Sequence, residues 1–451
     1  MPRRGDHHLR TPGTGRELSA GQEALWFVQQ LYPDCAAYNM GTAVAIHSPL
    51  DVEKLAGAAA LTVRSNDVLR SVFRLVDGEV RRLPVDPDGD LQAGWDIVDA
   101  TDLDESSLRD RLRELSQRPF RLDHELPIRF CLLRRRHDHV LLINAHHMVV
   151  DDVGLVAVVR QALSHYAGEP VDEESETYDD FVARQRDSLT TPRARAAEAY
   201  WRAELADLTA PAPFDRWPRP ADYRYEGAEL ALHLPDGLTA AIRSAAAAEN
   251  VTAFVYLMAA FQVMIHRLTG KTDILIGCPV SQRSARRFAA SVGYFVNALP
   301  MRSSVGPSDT FEATLRRTGD RFWRGMVHRD YPAALIPRLV GHRPDRRLPG
   351  MVTVMFGADM GRPADPLYGM VEPGRRGEFA GLELSHFDFP DQLGQFDLNA
   401  LVVRQGGTRV RFKYNTSVFT SEAAGDLADM YYQMLEKAAR GARREHPVYE
   451  G

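Results

Sequence analysis

Residues 139–154, HVLLINAHHMVVDDVG, decide how this 451-residue chain is read. Val140, Leu141, Leu142 and Ile143 form a short apolar run of β-favouring residues, which predicts a strand. Asp151 and Asp152 are good helix N-cap residues, and they precede the amphipathic run Leu155, Val156, Val158, Val159, Ala162, Leu163. Between the strand and the helix stand His146 and His147. A strand-to-helix turn presents side chains to a cleft from a rigid base.

Neighbouring residues on an extended chain point to opposite sides. His146 and His147 are therefore expected to do different jobs, one turned inward and one outward. An imidazole titrates near neutral pH and exchanges protons there. Asp151 stands close enough to fix the turn or a neighbouring arginine. Two satisfied histidines at a helix start are the plain structural reading of the same residues. Metal binding by His146, His147, Asp151 and Asp152 is the weaker reading, because adjacent histidines rarely converge on one ion and no second ligand cluster is in view; no metal is expected.

Outward from this stretch, the length suggests two or more cores. An apolar content of 44% and a charged content of 26% are ordinary for a globular protein, and a net charge of -6 gives no reason to expect a nucleic-acid surface. No run is long and apolar enough to span a bilayer. Residues 1–15 are charged, without the apolar segment of a secretory signal, and read as a flexible tail carrying His7 and His8. Cys35, Cys131 and Cys278 are widely spaced and odd in number, which points to reduced thiols and a cytoplasmic protein.

The periodicities predict helices over 18–31, 52–73, 108–115, 178–208, 239–248, 253–268 (stopped by Gly270), 310–327 and 422–439. They predict strands over 38–46, 127–133, 140–143, 230–234, 273–277, 351–356, 396–403 and 410–414, with 78–85 as a hairpin arm. Residues 357–395 read as a polar excursion. The acidic segment 169–180 is the best linker candidate. Arg64 and Arg70 read as surface charges. So do Arg283, Arg286 and Arg287, with a buried Arg–Asp151 pair as the sharper alternative. Both parts carry helices early and strands later, which suits two similar lobes.

Many of these segments, in this order, resemble the condensation domains of nonribosomal peptide synthetases over nearly their whole length. His146, His147, Met148, Val149, Val150 and Asp151 match the family's HHxxxDG motif, with Asp152 in place of its glycine. LSAGQEALWFVQQL, RSNDVLRSVFR, RPFRLDHELPIRF, YDDFVARQ, VGYFVNALPMR, HRDYP and YNTSVFT match further family blocks, as does the stretch TAFVYLMAAFQVMIHRLTGKTDILIGCPVSQR. The resemblance implies an α+β fold of two chloramphenicol acetyltransferase-like lobes, arranged as a V-shaped pseudo-dimer around a tunnel. The expected parts are a tail at 1–15, an N-terminal lobe at 16–176 and a C-terminal lobe at 177–451 with cross-over segments to the first.

The resemblance also implies roles. His147 matches the catalytic histidine, His146 the structural one, Asp151 the aspartate that organises the turn and Arg283 its partner. Gly293, Tyr294 and Asn297 fall in the matching cross-over segment at the tunnel. The implied activity joins an acyl or aminoacyl thioester on a carrier protein's phosphopantetheine arm to an amine or alcohol acceptor. No bound cofactor, nucleic acid or membrane is implied. Asp152 is the departure: it narrows the tunnel, raises the imidazole pKa, or caps the helix and points away. Inactive relatives that recruit tailoring oxidases carry a motif ending in two aspartates but lose the second histidine, which is present here. Three functions follow: a free-standing condensation enzyme, a non-catalytic docking platform, and an O-acyltransferase of the polyketide-associated type acting on a diffusible alcohol.

Overall fold

The computed structural model describes residues 15–86, 94–171, 175–208, 214, 217–283, 285–343, 351–358, 367, 375–391, 393–404 and 406–439. Residues 1–14, with His7 and His8, lie outside them, as do parts of the acidic and proline-rich stretches (172–174, 209–213, 215–216) and the side chain of Arg286. The chain is mixed α and β, in two packed units. The first unit comprises Met1–Asp187, Arg283–Phe295 and Met360–Gln392, and the second Ser188–Gln282, Val296–Asp359 and Leu393–Gly451.

The sheet of the first unit runs in the order Arg376–Phe379, Leu382–His386, Asn39–Ile46, His139–His146, Ile128–Arg134, Trp95–Asp99. His139–His146 is central and antiparallel to both neighbours, with Asn39 opposite His146 and Ile128 opposite Ala145. It is buried on both faces, which explains a continuous apolar run where a half-exposed strand would alternate. Leu141, Ile143 and Ala145 face a large core shared with the helices Val52–Ser65 and Asp152–Ala167. Val140 and Leu142 face a smaller one under the helix Glu105–Ser116.

The second unit repeats that layout. Its sheet runs Gly227–Leu234, Thr408–Asn415, Leu398–Val403, Val354–Ala358, Asp273–Ser281, Val296–Ser304. Val354–Ala358 is parallel to Leu398–Val403, just as Trp95–Asp99 is parallel to Ile128–Arg134. The apolar helix Ala253–Thr269 lies in the core and is closed by Gly270 at φ 71°.

Several expected elements change. The helix expected over 52–73 ends at Ser65, where Asn66 turns extended and its amide returns to the Thr62 carbonyl. Residues 71–76 instead pair with Glu79–Pro84 as a hairpin, turned by Asp77 and Gly78, both at positive φ. The helix expected over 178–208 breaks into Tyr178–Ser188 and Pro192–Glu204, because Pro192 starts a new helix capped by Thr191. The first of these buries Tyr178, Phe181 and Val182 in the first unit, so that unit continues to Asp187, past the boundary expected at 176/177. The polar excursion contains the hairpin Arg376–Phe379/Leu382–His386, which extends the first unit's sheet. Arg70 is largely buried, donating to the carbonyls of Val85 and Arg64, whereas Arg64 is exposed. Cys131 and Cys278 are buried and Cys35 half-buried, all as free thiols. Among the described residues no single helix is long and apolar enough to cross a membrane.

Candidate functional site around His147

The turn is held from both of its ends. The amide of His146 donates to the Pro127 carbonyl and that of His147 to the Tyr38 carbonyl, so the residues just before the flanking strands fix its start. Asp151 caps the following helix, with Oδ1 accepting from the Gly154 amide at 2.7 Å. Gln22 belongs to the capping box of the first helix, Ala20–Leu31, and its amide also reaches the Met148 carbonyl at 2.8 Å.

His146 and His147 do different work, as alternation predicts. His146 is buried, and its Nδ1 accepts from the Met148 amide at 3.1 Å. An acceptor Nδ1 puts the proton on Nε2. Burial, reinforced by the neighbouring His147, pushes this imidazole down to about 3, so it stays neutral. His147 is partly exposed, and its Nδ1 lies 2.8 Å from the Val150 carbonyl. A carbonyl only accepts, so Nδ1 carries the proton and Nε2 the lone pair. Burial lowers the pKa of His147, while the Val150 bond and the carboxylates of Asp151 and Asp391 oppose that shift. The result is a neutral imidazole with a defined basic nitrogen. The ring meets Tyr294 edge to face, with centroids 4.9 Å apart.

Asp151 does more than cap. Arg283 approaches its two oxygens, Nη2 to Oδ1 at 2.6 Å and Nε to Oδ2 at 3.3 Å, and both side chains are almost fully buried. The Phe295 amide donates to Oδ2 at 3.2 Å. Arg283 also donates to the carbonyls of Phe288 and Ser291, both at 2.7 Å, and its guanidinium lies over the Phe295 ring. One guanidinium thus ties residues 288–295 to the histidine turn. A buried ion pair persists when its remaining hydrogen-bonding positions are filled, and here they are. Gly154 leaves the room: a Cβ there would stand 3.1 Å from Asp151 Oδ1 and from the Gly293 carbonyl, and 3.2 Å from Arg283 Nη2.

The remaining expected site residues divide. Gly293 and Tyr294 join His147, Asp151 and Arg283 in the first unit. Asn297 belongs to the second, where its buried amide spans the carbonyls of Arg329 and Tyr331 and accepts from Ala333, bracing that loop. Asp152 is exposed at the first helical position, where its charge suits the helix N-terminus. Arg287 is exposed beside Glu176. Sequence reasoning missed Asp391, Tyr178 and Gln22: Gln22 bonds to the turn, Asp391 acts on His147 through its charge, and Tyr178 holds the carbonyl of the neighbouring Tyr294; only the capping-box spacing Ser19–Gln22 hinted at one of them. Among the described residues no group of three or more His, Cys, Asp or Glu side chains is placed to hold a metal ion.

Residues 15–446 match the family model described as Condensation domain. The chain belongs to the condensation-domain family. It is 28% identical over 432 residues to tyrocidine synthase 3 of Brevibacillus parabrevis, covering 94% of this chain and 6% of that protein. The chain therefore corresponds to a small part of that relative. Its fold is similar to that of holo-AB3403, a four-domain nonribosomal peptide synthetase bound to AMP and glycine (TM-score 0.86, 19% identity, 97% of this chain and 34% of that one). It is similar again to the complex of the X-domain and OxyB from teicoplanin biosynthesis (TM-score 0.83, 20% identity, 100% and 98%). The two packed units are the two lobes of a nonribosomal peptide synthetase condensation domain, each a sheet with its helices.

Proposed function

We propose that this condensation domain is catalytic, transferring an acyl or aminoacyl group from a carrier-protein phosphopantetheine thioester to an amine or alcohol, to form an amide or an ester. The observation that carries this reading is the fixed tautomer of His147. With Nδ1–H committed to the Val150 carbonyl, Nε2 is the nitrogen left to accept a proton. As the nucleophile's nitrogen or oxygen bonds to the thioester carbon, its proton passes to Nε2. Collapse of the tetrahedral intermediate breaks the C–S bond, and the imidazolium returns the proton to the departing thiolate. No covalent acyl-enzyme is required. Holding the two substrates together supplies much of the rate, about 7–11 kcal/mol in favourable cases. Asp151 and Arg283 act as positioning residues that keep the turn rigid.

A non-catalytic docking platform is the second reading, favoured by Asp152 in the glycine position of the motif and by the likeness to an X-domain seen in complex with another protein. The test supplies acyl-carrier thioester with amines and alcohols, free or carrier-bound, to the wild type and to His147→Ala. Turnover lost in the variant supports catalysis. No turnover with any nucleophile, together with tight binding to a partner protein, supports the platform. A free alcohol as the preferred acceptor points to the O-acyltransferase form.

A further inference from the structure

The Tyr294 ring has a seat of its own. Its backbone is fixed on three sides: Arg283 gathers the carbonyls of Phe288 and Ser291, Asp151 takes the Phe295 amide, and the Tyr178 hydroxyl donates to the Tyr294 carbonyl at 3.1 Å. Tyr178 is in turn 2.8 Å from Ser19 Oγ, at the start of the helix Ala20–Leu31. Its ring lies against the backbone at Gly293, where a Cβ would come within 2.1 Å of Tyr178 Cδ2. On the side of the first helix the Tyr294 ring lies over Gly21. A Cβ there would meet Cε1 of Tyr294 at 2.6 Å and Cδ1 at 3.2 Å, and the three atoms nearest to it all belong to this one ring.

The ring so held stands edge to face against His147, with an interplanar angle of 81°. The Val150 carbonyl holds that imidazole through Nδ1, which sets the ring torsion but leaves the ring free to rock within the angular breadth of one hydrogen bond. The Tyr294 ring is a second, lateral contact that limits this rocking. The Tyr294 ring is also apolar surface beside a group whose neutrality depends on being shielded from water.

We propose that Tyr294 is the positioning residue of His147, and that the bare backbone at Gly21 exists to let its ring reach the imidazole. This rests on the reading of His147 as proton acceptor and extends it from the histidine to the pair of residues that aim it.

The experiment compares wild type, Tyr294→Ala, Tyr294→Phe and Gly21→Ala. Two readouts are used: turnover with an acyl-carrier thioester, and long-range proton–nitrogen correlation spectra of His147, which report tautomer and pKa without any substrate. Tyr294→Ala is expected to lower kcat about ten- to a hundred-fold with little change in KM. The His147 pKa rises towards its ordinary value as water replaces the ring, under the same carboxylates of Asp151 and Asp391 and beside the same neutral His146. Tyr294→Phe keeps the ring and restores both readouts. Gly21→Ala separates positioning from folding: the better helix propensity of alanine offsets part of the overpacking against the ring, so the chain stays folded with a modest fall in melting temperature while the displaced ring lowers kcat several-fold. Should Tyr294→Ala unfold, Gly21→Ala decides alone. Wild-type tautomer, pKa and kcat in Tyr294→Ala, or a Tyr294→Phe as impaired as the alanine variant, overturn the proposal. If the wild type itself shows no turnover that depends on His147, the catalytic reading falls, and the spectra still decide whether Tyr294 aims the ring.

Discussion

In the first unit the strand His139–His146 gives way to the helix Asp152–Ala167; in the second the strand Thr408–Asn415 gives way to the helix Ser421–Ala439 across a turn of the same length. The two turns match bond for bond. The His146 and His147 amides reach Pro127 and Tyr38, and the Asn415 and Thr416 amides reach Asp397 and Glu226, residues just before the equivalent strands. His146 Nδ1 accepts from the amide two residues on, and so does Asn415 Oδ1 from Ser417, at 2.8 Å. Asp151 caps its helix through Gly154, and Thr420 through Ala423. The backbone device is therefore structural and needs no histidine. What separates the turns is chemistry added to a common frame: an imidazole at 147 where the other has Thr416, and a carboxylate at 151, tied to Arg283, where the other has Thr420.

Exchanging residues between the two turns sharpens that comparison. The largest effect is expected from His147→Thr, which installs what position 416 already carries. Turnover falls about a hundred- to ten-thousand-fold, the usual span for a lost proton acceptor, while the melting temperature stays close to wild type. A variant that keeps its activity breaks the distinction between the two turns. Next is Asp151→Thr. The cap survives but Arg283 is left buried without its partner, and the first unit loses about 3–5 kcal/mol in denaturant titrations. Adding Arg283→Met recovers much of that loss, and an unrecovered double variant shows that the pair does more than neutralise itself.

His146→Asn copies the second unit and keeps an acceptor for the Met148 amide, so it costs only about 1 kcal/mol, for lost packing. His146→Leu orphans that amide and costs about 1–3 kcal/mol; equal losses in the two variants contradict the structural assignment of His146. The mildest expected change follows pH. Both imidazoles have folded pKa values below the ordinary 6.5. The unfolded chain then binds more protons, so their contribution to stability is present above pH 6.5 and is lost progressively as pH falls below it. For the same reason the acid limb of kcat/KM lies below pH 6.5, and a limb above that value excludes neutral His147 as the group that titrates.

Much of the site was legible because local chemistry wrote it. A β-favouring run followed by two aspartates and an amphipathic run fixes a strand, a turn and a helix, and alternation alone separates the two histidines. The misreadings have local causes too. Residues 65–73 carry helical spacing, but Asn66 and the Asp77–Gly78 turn favour a hairpin. The hairpin at 376–386 is short and charged at its sheet edge, and its Ala380–Gly381 turn is a weak signal. Asn297 sits in a segment that matches the family's cross-over motif, yet its side chain is consumed by the carbonyls of Arg329 and Tyr331.

The sequence by itself determined that a histidine pair stands at a strand-to-helix turn, that more than one core is needed, and that an aspartate of the pair Asp151–Asp152 caps a helix, because propensity, periodicity and capping act within a few residues. That Arg283, 132 positions away, partners Asp151 was expected only through the family resemblance, and the tertiary structure supplies the contact; that Tyr294 and Gly21 converge on His147 only the tertiary structure decided. Those contacts join residues far apart in the chain. Their energy comes from desolvation and close packing, which exist only once the sheet has brought the segments together.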